Sequence, residues 1–495
     1  MKHALETTRA ANFAEWYQEV IYAAEMAEHS SSPGCMIIKP WGYAIWERIQ
    51  FLLDTRIKET GHQNCYFPLF IPMELMQREA AHVEGFAKEM AVVTHHRLVN
   101  KDGVLVPDGK LESPLIVRPT SETVIGEAMA KWVKSYRDLP LKLNQWCNIV
   151  RWELRPRMFL RTREFLWQEG HTAHATQEEA LQETYQMLGV YREVVEGAMR
   201  IPVIPGEKSP DERFAGADQT HTIEAMMQDG KALQAGTSHY LGQNFAKAAE
   251  IRFQDKEGGL KFVHTTSWGV STRLIGGLIM THSDDDGLRL PPRIAPYQVV
   301  IVPIIREEAQ RAEVMAKVEE VAARLKTLTF AGEKLRCHVD ARDEQSANKK
   351  WSWIKKGVPL ICEIGPRDVA SNSLACIRRD RIDQKSQILP ADEFAGKVDA
   401  LLEEIDQAYY QQSCAYRDEK ITDAPKTFAD LEAYFGQEES GFVKGKWSGD
   451  PTIPEKLKTL GVTIRCIPHE QSGSAGTCVV TGAEATQDAI YAKAY

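Results

Sequence analysis

No run of this chain approaches the ~20 consecutive apolar residues that a membrane-spanning helix requires. It contains no repeat of fixed period, no low-complexity tract and no CxxC pair. Its nine cysteines are an odd number without paired spacing, which does not suit a disulfide framework; reduced, mostly buried thiols are expected. The opening MKHALETTRAANFAEWYQEV lacks a basic patch followed by an apolar core. No secretory signal is therefore expected, and the chain is expected to be soluble and cytoplasmic, with no membrane partner. Basic charge is not in excess either. Sixty Lys and Arg stand against 69 Asp and Glu, a net charge of −9. Any contact with nucleic acid must come from a local basic surface. What is present is 43% hydrophobic and 26% charged residues, ordinary for a globular protein. The length of 495 residues suggests about three domains.

The apolar spacing from Phe13 to Ala27 predicts an amphipathic helix. A second helix is predicted from Pro40, which suits a first helical turn, to near Gly61. NCYFPLFIP reads as a strand, with Pro68 suited to an edge or a strand end. Strand signals recur at LIVRP, NQWCNIV, KFVHTTSW and VVIVPII, with a helical pattern over 177–199. Many of these strands are not separated by helices, so an α+β antiparallel sheet is expected up to about residue 290. GLRLPPRIAP, with three prolines in six residues, marks a boundary. Beyond it, apolar runs alternate with charged helices at 306–328 and 391–412. This predicts an α/β unit with a largely parallel sheet. The expected domains are 1–290, 291–410 and 411–495.

The most informative segment is RWELRPRMFLRTREFLWQEGHTAH, 151–174, with arginines at 151, 155, 157, 161 and 163. A basic run is commonly a solvated face. Here, however, Arg151 follows the apolar strand CNIV, and Phe165 lies four residues beyond Arg161. A strand-anchored guanidinium suits bidentate phosphate contact. An aromatic on the return strand suits base stacking. A second segment, HTTSWGVSTRLIGGLIMTH, carries Arg273 alone among small and apolar residues, with Gly269, Gly276 and Gly277 allowing close backbone approach. Such an arginine pairs either with a buried carboxylate or with a nucleotide phosphate. VRPTSET looks like a helix N-terminus; Thr120 and Glu122 also suit a substrate ammonium, with Ser121 as the cap. His171 and His174 suggest a metal site, but no local carboxylate or thiol was expected to complete it.

Arg151-x-Glu153, a loop, and Arg161-x-x-x-Phe165 resemble motif 2 of the class II aminoacyl-tRNA synthetases. The long helix ending in a strand with Pro68 is similar to motif 1, and 268–282 to motif 3. VRPTSET, RTREFLWQEGHTAH, GTSHYLGQNF, SWGVSTR and EIGPRD, in that order, resemble the prolyl-tRNA synthetases of the archaeal and eukaryotic type over nearly the whole chain. The resemblance implies charging of tRNA(Pro) with L-proline, using ATP with Mg²⁺, by way of a prolyl-adenylate. It implies a class II catalytic domain, an anticodon-binding domain and a small C-terminal domain. Arg151 would contact the α-phosphate and the proline carboxylate, with Phe165 and Arg273 on either side of the adenine. Glu153, Arg161 and Thr162 would complete the ATP site. Gln234, Thr237 and Ser271 would lie near phosphates, ribose and Mg²⁺. Thr120 and Glu122 would take the proline ammonium, with Trp167, His171 and His239 around the ring. Glu363 and Arg367 would read anticodon bases beside a basic patch of Lys349, Lys350, Lys355 and Lys356.

The chain departs from the family in two places. Many members hold zinc in the C-terminal domain with four cysteines. Here Ser448 and Ile453 stand at the first two positions, and Cys478 is followed by Thr481 instead of a fourth cysteine. Four ligands are needed, so no zinc is expected and apolar packing should hold the unit. Only about 95 residues separate motifs 2 and 3, which leaves no room for a large editing insertion. A methylene discriminates by roughly 1–3 kcal/mol, so mischarging with small amino acids is expected. In this family motif 1 forms a two-fold interface. Trp41, Ile45, Trp46, Ile49, Leu52 and Leu53 give more apolar surface than one helix stripe buries, so a homodimer is expected. The presence of Arg151, Glu153, Phe165 and Arg273 argues against an inactive paralogue. A threonine enzyme would need a zinc-binding cluster that has no match here.

Overall fold

The computed structural model describes residues 3–78 and 89–495. Its frame is an eleven-stranded sheet. Gln63–Asn64 lies parallel to Leu141–Val150 at one edge. Glu164–His174, His264–Ser271, Ala232–Gly242, Gln219–Met226 and Val203–Glu207 follow, each antiparallel to its neighbour. The sheet then continues through strands of the C-terminal part: Thr463–Pro468, Gln487–Ala492, Phe442–Trp447 and Ile421–Thr422. The helix Gln177–Gly197 covers one face, burying Met187, Tyr191, Val194 and Val195. It starts at a reciprocal cap: the Thr176 hydroxyl accepts from the Glu179 amide, and the Glu179 carboxylate accepts from the Thr176 amide.

The helix predicted from Pro40 spans Pro40–Glu59, and its apolar face differs from expectation. Trp41, Ile45, Trp46, Ile49 and Leu53 are buried within the chain itself, and Leu52 is half-buried. Trp41 packs 5.6 Å from Tyr297 and 5.8 Å from Trp353, and Trp46 lies 5.8 Å from Trp146. The second unit and the sheet therefore absorb the surface that seemed to call for a partner. Tyr43 and Phe51 face outward on this helix, with Tyr66 and Phe70 beyond it. The first helix stops at Ala23, because Glu25 turns the chain at φ 54° into the strand Ala27–His29. NCYFPLFIP is not one strand. Gln63–Asn64 joins the main sheet, Phe70–Pro72 joins a separate three-stranded sheet, and the link between them holds Pro68, which has no ladder donor.

The second unit holds five strands in the order Cys337–Val339, Val299–Pro303, Leu360–Ile364, Ser373–Arg378, Gln387–Pro390. The first three are parallel; the other two pairings are antiparallel, which corrects the largely parallel expectation. The reason is the link 365–372, a short helix Pro366–Ser371 closed by Asn372 at φ 49°. A parallel crossover needs a dozen or more residues. The lysine patch is also corrected. Lys349 is buried with Nζ donating to the Asp340 carbonyl, Lys350 pairs with Glu363 at 3.4 Å, and Lys356 pairs with Glu25.

The helix Ala391–Lys420 runs unbroken across the expected boundary at 410. The C-terminal unit packs Leu431, Phe435, Val443, Ile453, Leu457, Val479 and Tyr491 into one core. The zinc-like positions meet there. The Ser448 and Thr481 hydroxyls lie 3.3 Å apart, both bond the buried Cys478 thiol, and Ile453 is fully buried beside them. All nine cysteines are free.

Candidate active site

Strand alternation builds the site. In Glu164–His174, Phe165, Trp167, Glu169 and His171 fall on one face, and all four line a cavity of about 270 Å³. Across the ladder, Ser271 opposes Trp167 and Ser267 opposes His171. Thr237 and His239 come from the next strand, Ala232–Gly242. Gln234 should fall on the opposite face from Thr237 by simple alternation. The register slips at Ile223/Glu224, leaving Ala235 as an extra residue. This bulge puts Gln234 back on the cavity wall. Gly170 is required on the other face. A Cβ there would lie 2.0 Å from the Trp268 ring, which packs at 4.9 Å against His62.

A second cavity of about 220 Å³ adjoins the first, sharing Arg151, Phe165, Ser271 and Arg273, and adding Glu89, Glu153, Arg161 and Thr162. The structure thus brings together every residue expected around ATP and proline. Thr120 and Glu122 also line the larger cavity. Glu363 and Arg367 are elsewhere, at the end of Leu360–Ile364 and on the helix after it; Arg367 is exposed.

The arginines gather in the smaller cavity, beside Glu89 and Glu153. Arg151 is half-buried, its Nε donating to the Pro119 carbonyl at 3.0 Å and its guanidinium 5.7 Å from both the Phe165 and Trp167 rings. Burial pushes its pKa down, against the pull of Glu122, Glu89 and Glu169. Arg273 donates from Nε to the Leu160 carbonyl at 3.3 Å. No carboxylate among the described residues lies within ion-pair distance of it, so the buried-pair alternative falls. Burial, then Arg161 and Arg151, lower its pKa to about 10. A half-buried cation crowded by two others forms a receptor for an anion. At the acidic end, the Thr120 hydroxyl donates to Glu122, the first residue of the helix Glu122–Trp132. Ser121 does not cap that helix. Its hydroxyl donates to Glu169 at 2.5 Å.

Glu169 was missed in the sequence, although it stands two residues before His171, on the same strand face. It is buried, and also accepts from Gln145 Nε2 at 2.8 Å and pairs with His171 Nε2 at 2.8 Å. Burial opposes its ionised form. The hydrogen bond and charge of His171, with Ser121 and Gln145, outweigh burial and lower its pKa. For His171, burial likewise opposes the charge, and Glu169 outweighs it and raises the pKa. His174 lies on the other face and bonds Thr172 at 2.7 Å, so the two histidines do not share a site. His239 is held neutral, its pKa lowered to about 3 by burial and by His221 and His171. It bonds Thr220 at 3.0 Å and packs 4.7 Å from Phe214, a second wall residue not foreseen.

An antiparallel sheet carrying an arginine-anchored strand–loop–strand, followed by a strand and helix with a half-buried arginine, defines a class II aminoacyl-tRNA synthetase. The family model for the class II core domain of tRNA synthetases (G, H, P, S and T) matches residues 107–282. The anticodon binding domain matches 298–401, and the prolyl-tRNA synthetase C-terminal domain matches 434–495. The proline–tRNA ligases of Protochlamydia amoebophila and Paramagnetospirillum magneticum are each 58% identical, over 100% of this chain and 99% of theirs. A crystal structure of prolyl-tRNA synthetase from Cryptosporidium parvum, complexed with halofuginone and AMPPNP, superposes with a TM-score of 0.90 at 38% identity, covering 99% of both chains. The chain belongs to the prolyl-tRNA synthetase family. It attaches L-proline to tRNA(Pro) in two steps, ATP-dependent formation of prolyl-adenylate and transfer to the 3′-terminal ribose. Class II synthetases use ATP with Mg²⁺.

The Glu169–His171 pair predicts a pH signature. With its pKa raised, His171 contributes stability that is full below about pH 6.5 and fades as pH rises through the folded value. With its pKa lowered, Glu169 contributes stability that is full above about pH 4.3 and is lost as pH falls through the folded value. The pair is therefore strongest between these limits. Thermal melts of His171→Gln against the parent chain should show a deficit at pH 6 that shrinks by pH 9. A deficit independent of pH would contradict the charged pair.

Proposed function

We propose that the two joined cavities hold proline and ATP side by side, with Arg151 between them. The observation that carries this reading is that Arg151 lines both cavities while its guanidinium is fixed by Pro119. In this reading Arg151 contacts the proline carboxylate and the ATP α-phosphate, holding nucleophile and electrophile together. The charge that builds on the phosphate meets a preorganised, half-buried cation. Phe165 and Arg273 take the two faces of the adenine, and Glu153, Arg161 and Thr162 close the nucleotide end. Gln234, Thr237 and Ser271 face phosphates and ribose, and the Gln234 carboxamide oxygen suits Mg²⁺. At the other end Thr120 and Glu122 receive the secondary ammonium, and Trp167, His171 and His239 enclose the ring.

The finer assignments follow the same reading. The chain is of the architecture without an inserted editing domain. The stretch between motifs 2 and 3 is filled by the helix Gln177–Gly197 and by three long strands of the central sheet, Val203–Glu207, Gln219–Met226 and Ala232–Gly242. The two proline–tRNA ligases named above are bacterial, so the type name describes architecture alone. Catalytic, anticodon-binding and C-terminal functions divide at 1–290, 291–410 and 411–495, with the helix Ala391–Lys420 shared by the last two. Glu363 and Arg367 contact anticodon bases. The C-terminal unit is held by its apolar core without zinc. The enzyme works in the cytoplasm as a homodimer, with the exposed Tyr43, Phe51, Tyr66 and Phe70 offered to the second subunit.

Two variants test the site. Arg151→Ala should abolish proline-dependent ATP–pyrophosphate exchange while circular dichroism stays unchanged; near-normal exchange would remove Arg151 from the chemistry. Glu122→Gln keeps the shape and one acceptor but removes the charge. A hydrogen bond to a charged group contributes about 1.5–3 kcal/mol, so the proline KM should rise by about ten- to a hundredfold, with the ATP KM much less changed. An unchanged proline KM with a small loss of melting temperature would make Glu122 a helix-terminal residue only.

A further inference from the structure

The central sheet carries the C-terminal unit into contact with the catalytic part. Thr463–Pro468 pairs with Val203–Glu207 through Ile467–Glu207 and Pro468–Gly206. A buried charge cluster sits at this seam. Glu224 is fully buried. Its Oε1 accepts from Lys208 Nζ at 2.8 Å and from the Thr222 hydroxyl at 2.9 Å. Its Oε2 accepts from Arg465 Nη2 at 3.0 Å and Nε at 3.1 Å. Lys208 and Arg465 are themselves buried. One carboxylate therefore meets two cations, and the cluster is net positive. Desolvation makes each buried ion costly, so a surplus buried cation is not what stability alone selects.

The surroundings point to where that surplus acts. Glu224 is the cross-strand partner of Gln234, which lines the larger cavity. Glu224 and Arg465 both act on Arg273 with opposite signs, Glu224 raising its pKa and Arg465 lowering it. The nearest other carboxylate acting on Arg465 is Glu212, which is half-exposed, where water screens it. Arg465 Nη1 donates to the Thr463 hydroxyl at 2.9 Å, and Arg465 lines neither cavity.

We propose that Arg465 is a positioning residue for ATP: through Glu224, this side chain of the C-terminal unit gives the wall behind Gln234 a surplus positive charge that favours the triphosphate. The C-terminal unit is in this way part of the adenylation site without lining it. The proposal rests on the placement of ATP given above.

The test uses the full chain in ATP–pyrophosphate exchange, with a melting temperature for each variant. Arg465→Gln should raise the ATP KM on the order of five- to tenfold, as expected for one partly screened charge, and leave the proline KM within about twofold. Arg465→Lys, which keeps the charge but loses the two-pronged contact, should hold the ATP KM near that of the parent chain even if it melts lower. Lys208→Gln removes the same charge from the catalytic side and should reproduce the rise; it decides the matter if Arg465→Gln does not fold. An unchanged ATP KM in folded Arg465→Gln or Lys208→Gln, or equal impairment of the Lys and Gln variants, would overturn the proposal. Phe165→Ala is measured alongside. A rise there with none at Arg465 removes Arg465 alone, whereas no rise at Phe165 removes the ATP placement itself.

Discussion

A single buried carboxylate ties four segments of this enzyme to one point. Glu169 accepts from Ser121, at the start of the helix Glu122–Trp132, from Gln145, on the strand before motif 2, and from His171, on its own strand. Gln145 in turn accepts from the Phe67 amide at 2.5 Å, which brings in the segment after the motif 1 helix. An ionised carboxylate in a dry site is costly unless its lone pairs are filled. Here they are filled by groups that come from different parts of the chain. The geometry of the end proposed for proline therefore follows from satisfying one anion. Thr120 and Glu122 stand on either side of Ser121, so whatever holds Ser121 also sets them.

The rest of the site is an arrangement of charge along that frame. Glu122 and Glu169 stand at one end, while at the other Arg151, Arg161 and Arg273 are gathered beside Glu89 and Glu153. Backbone carbonyls help orient two of these arginines, Pro119 for Arg151 and Leu160 for Arg273. At Arg273, which has no carboxylate within ion-pair distance among the described residues, a carbonyl fixes direction without cancelling charge, so the guanidinium keeps its attraction for an anion. His239, held neutral, supplies an apolar wall beside Phe214 that does not repel the ammonium.

Much of this was legible in the sequence because it depends on local rules. The helix from Pro40 and the strand Glu164–His174 follow from spacing, and Phe165, Trp167 and His171 share a face by period two. Glu169 obeys the same period and was open to the same argument. Its partners Ser121 and Gln145 lie 48 and 24 residues away, so nothing in the local pattern shows that its lone pairs are filled. Other features depend on what lies across from a residue. Gln234 reaches the cavity only through a bulge whose partner strand is ten residues away in sequence. The apolar width of the Pro40 helix looked like a dimer surface because Tyr297 and Trp353, which cover Trp41, come from another unit. The lysines of 349–356 looked basic because their partners, Asp340, Glu363 and Glu25, lie outside the helix. The mixed sheet of the second unit, in contrast, could have been deduced from the length of the link 365–372.

The most direct test of the account is the substrate dependence of Glu169→Gln, which keeps the side chain's shape and removes the charge that His171 and Ser121 serve. In pyrophosphate exchange at saturating ATP, the proline KM should rise by about tenfold or more, the scale of one lost charge-assisted hydrogen bond. The ATP KM should stay within about twofold, and the far-ultraviolet circular dichroism should match that of the parent chain. A folded Glu169→Gln enzyme with an unchanged proline KM would show that the proline end is organised by something other than this carboxylate.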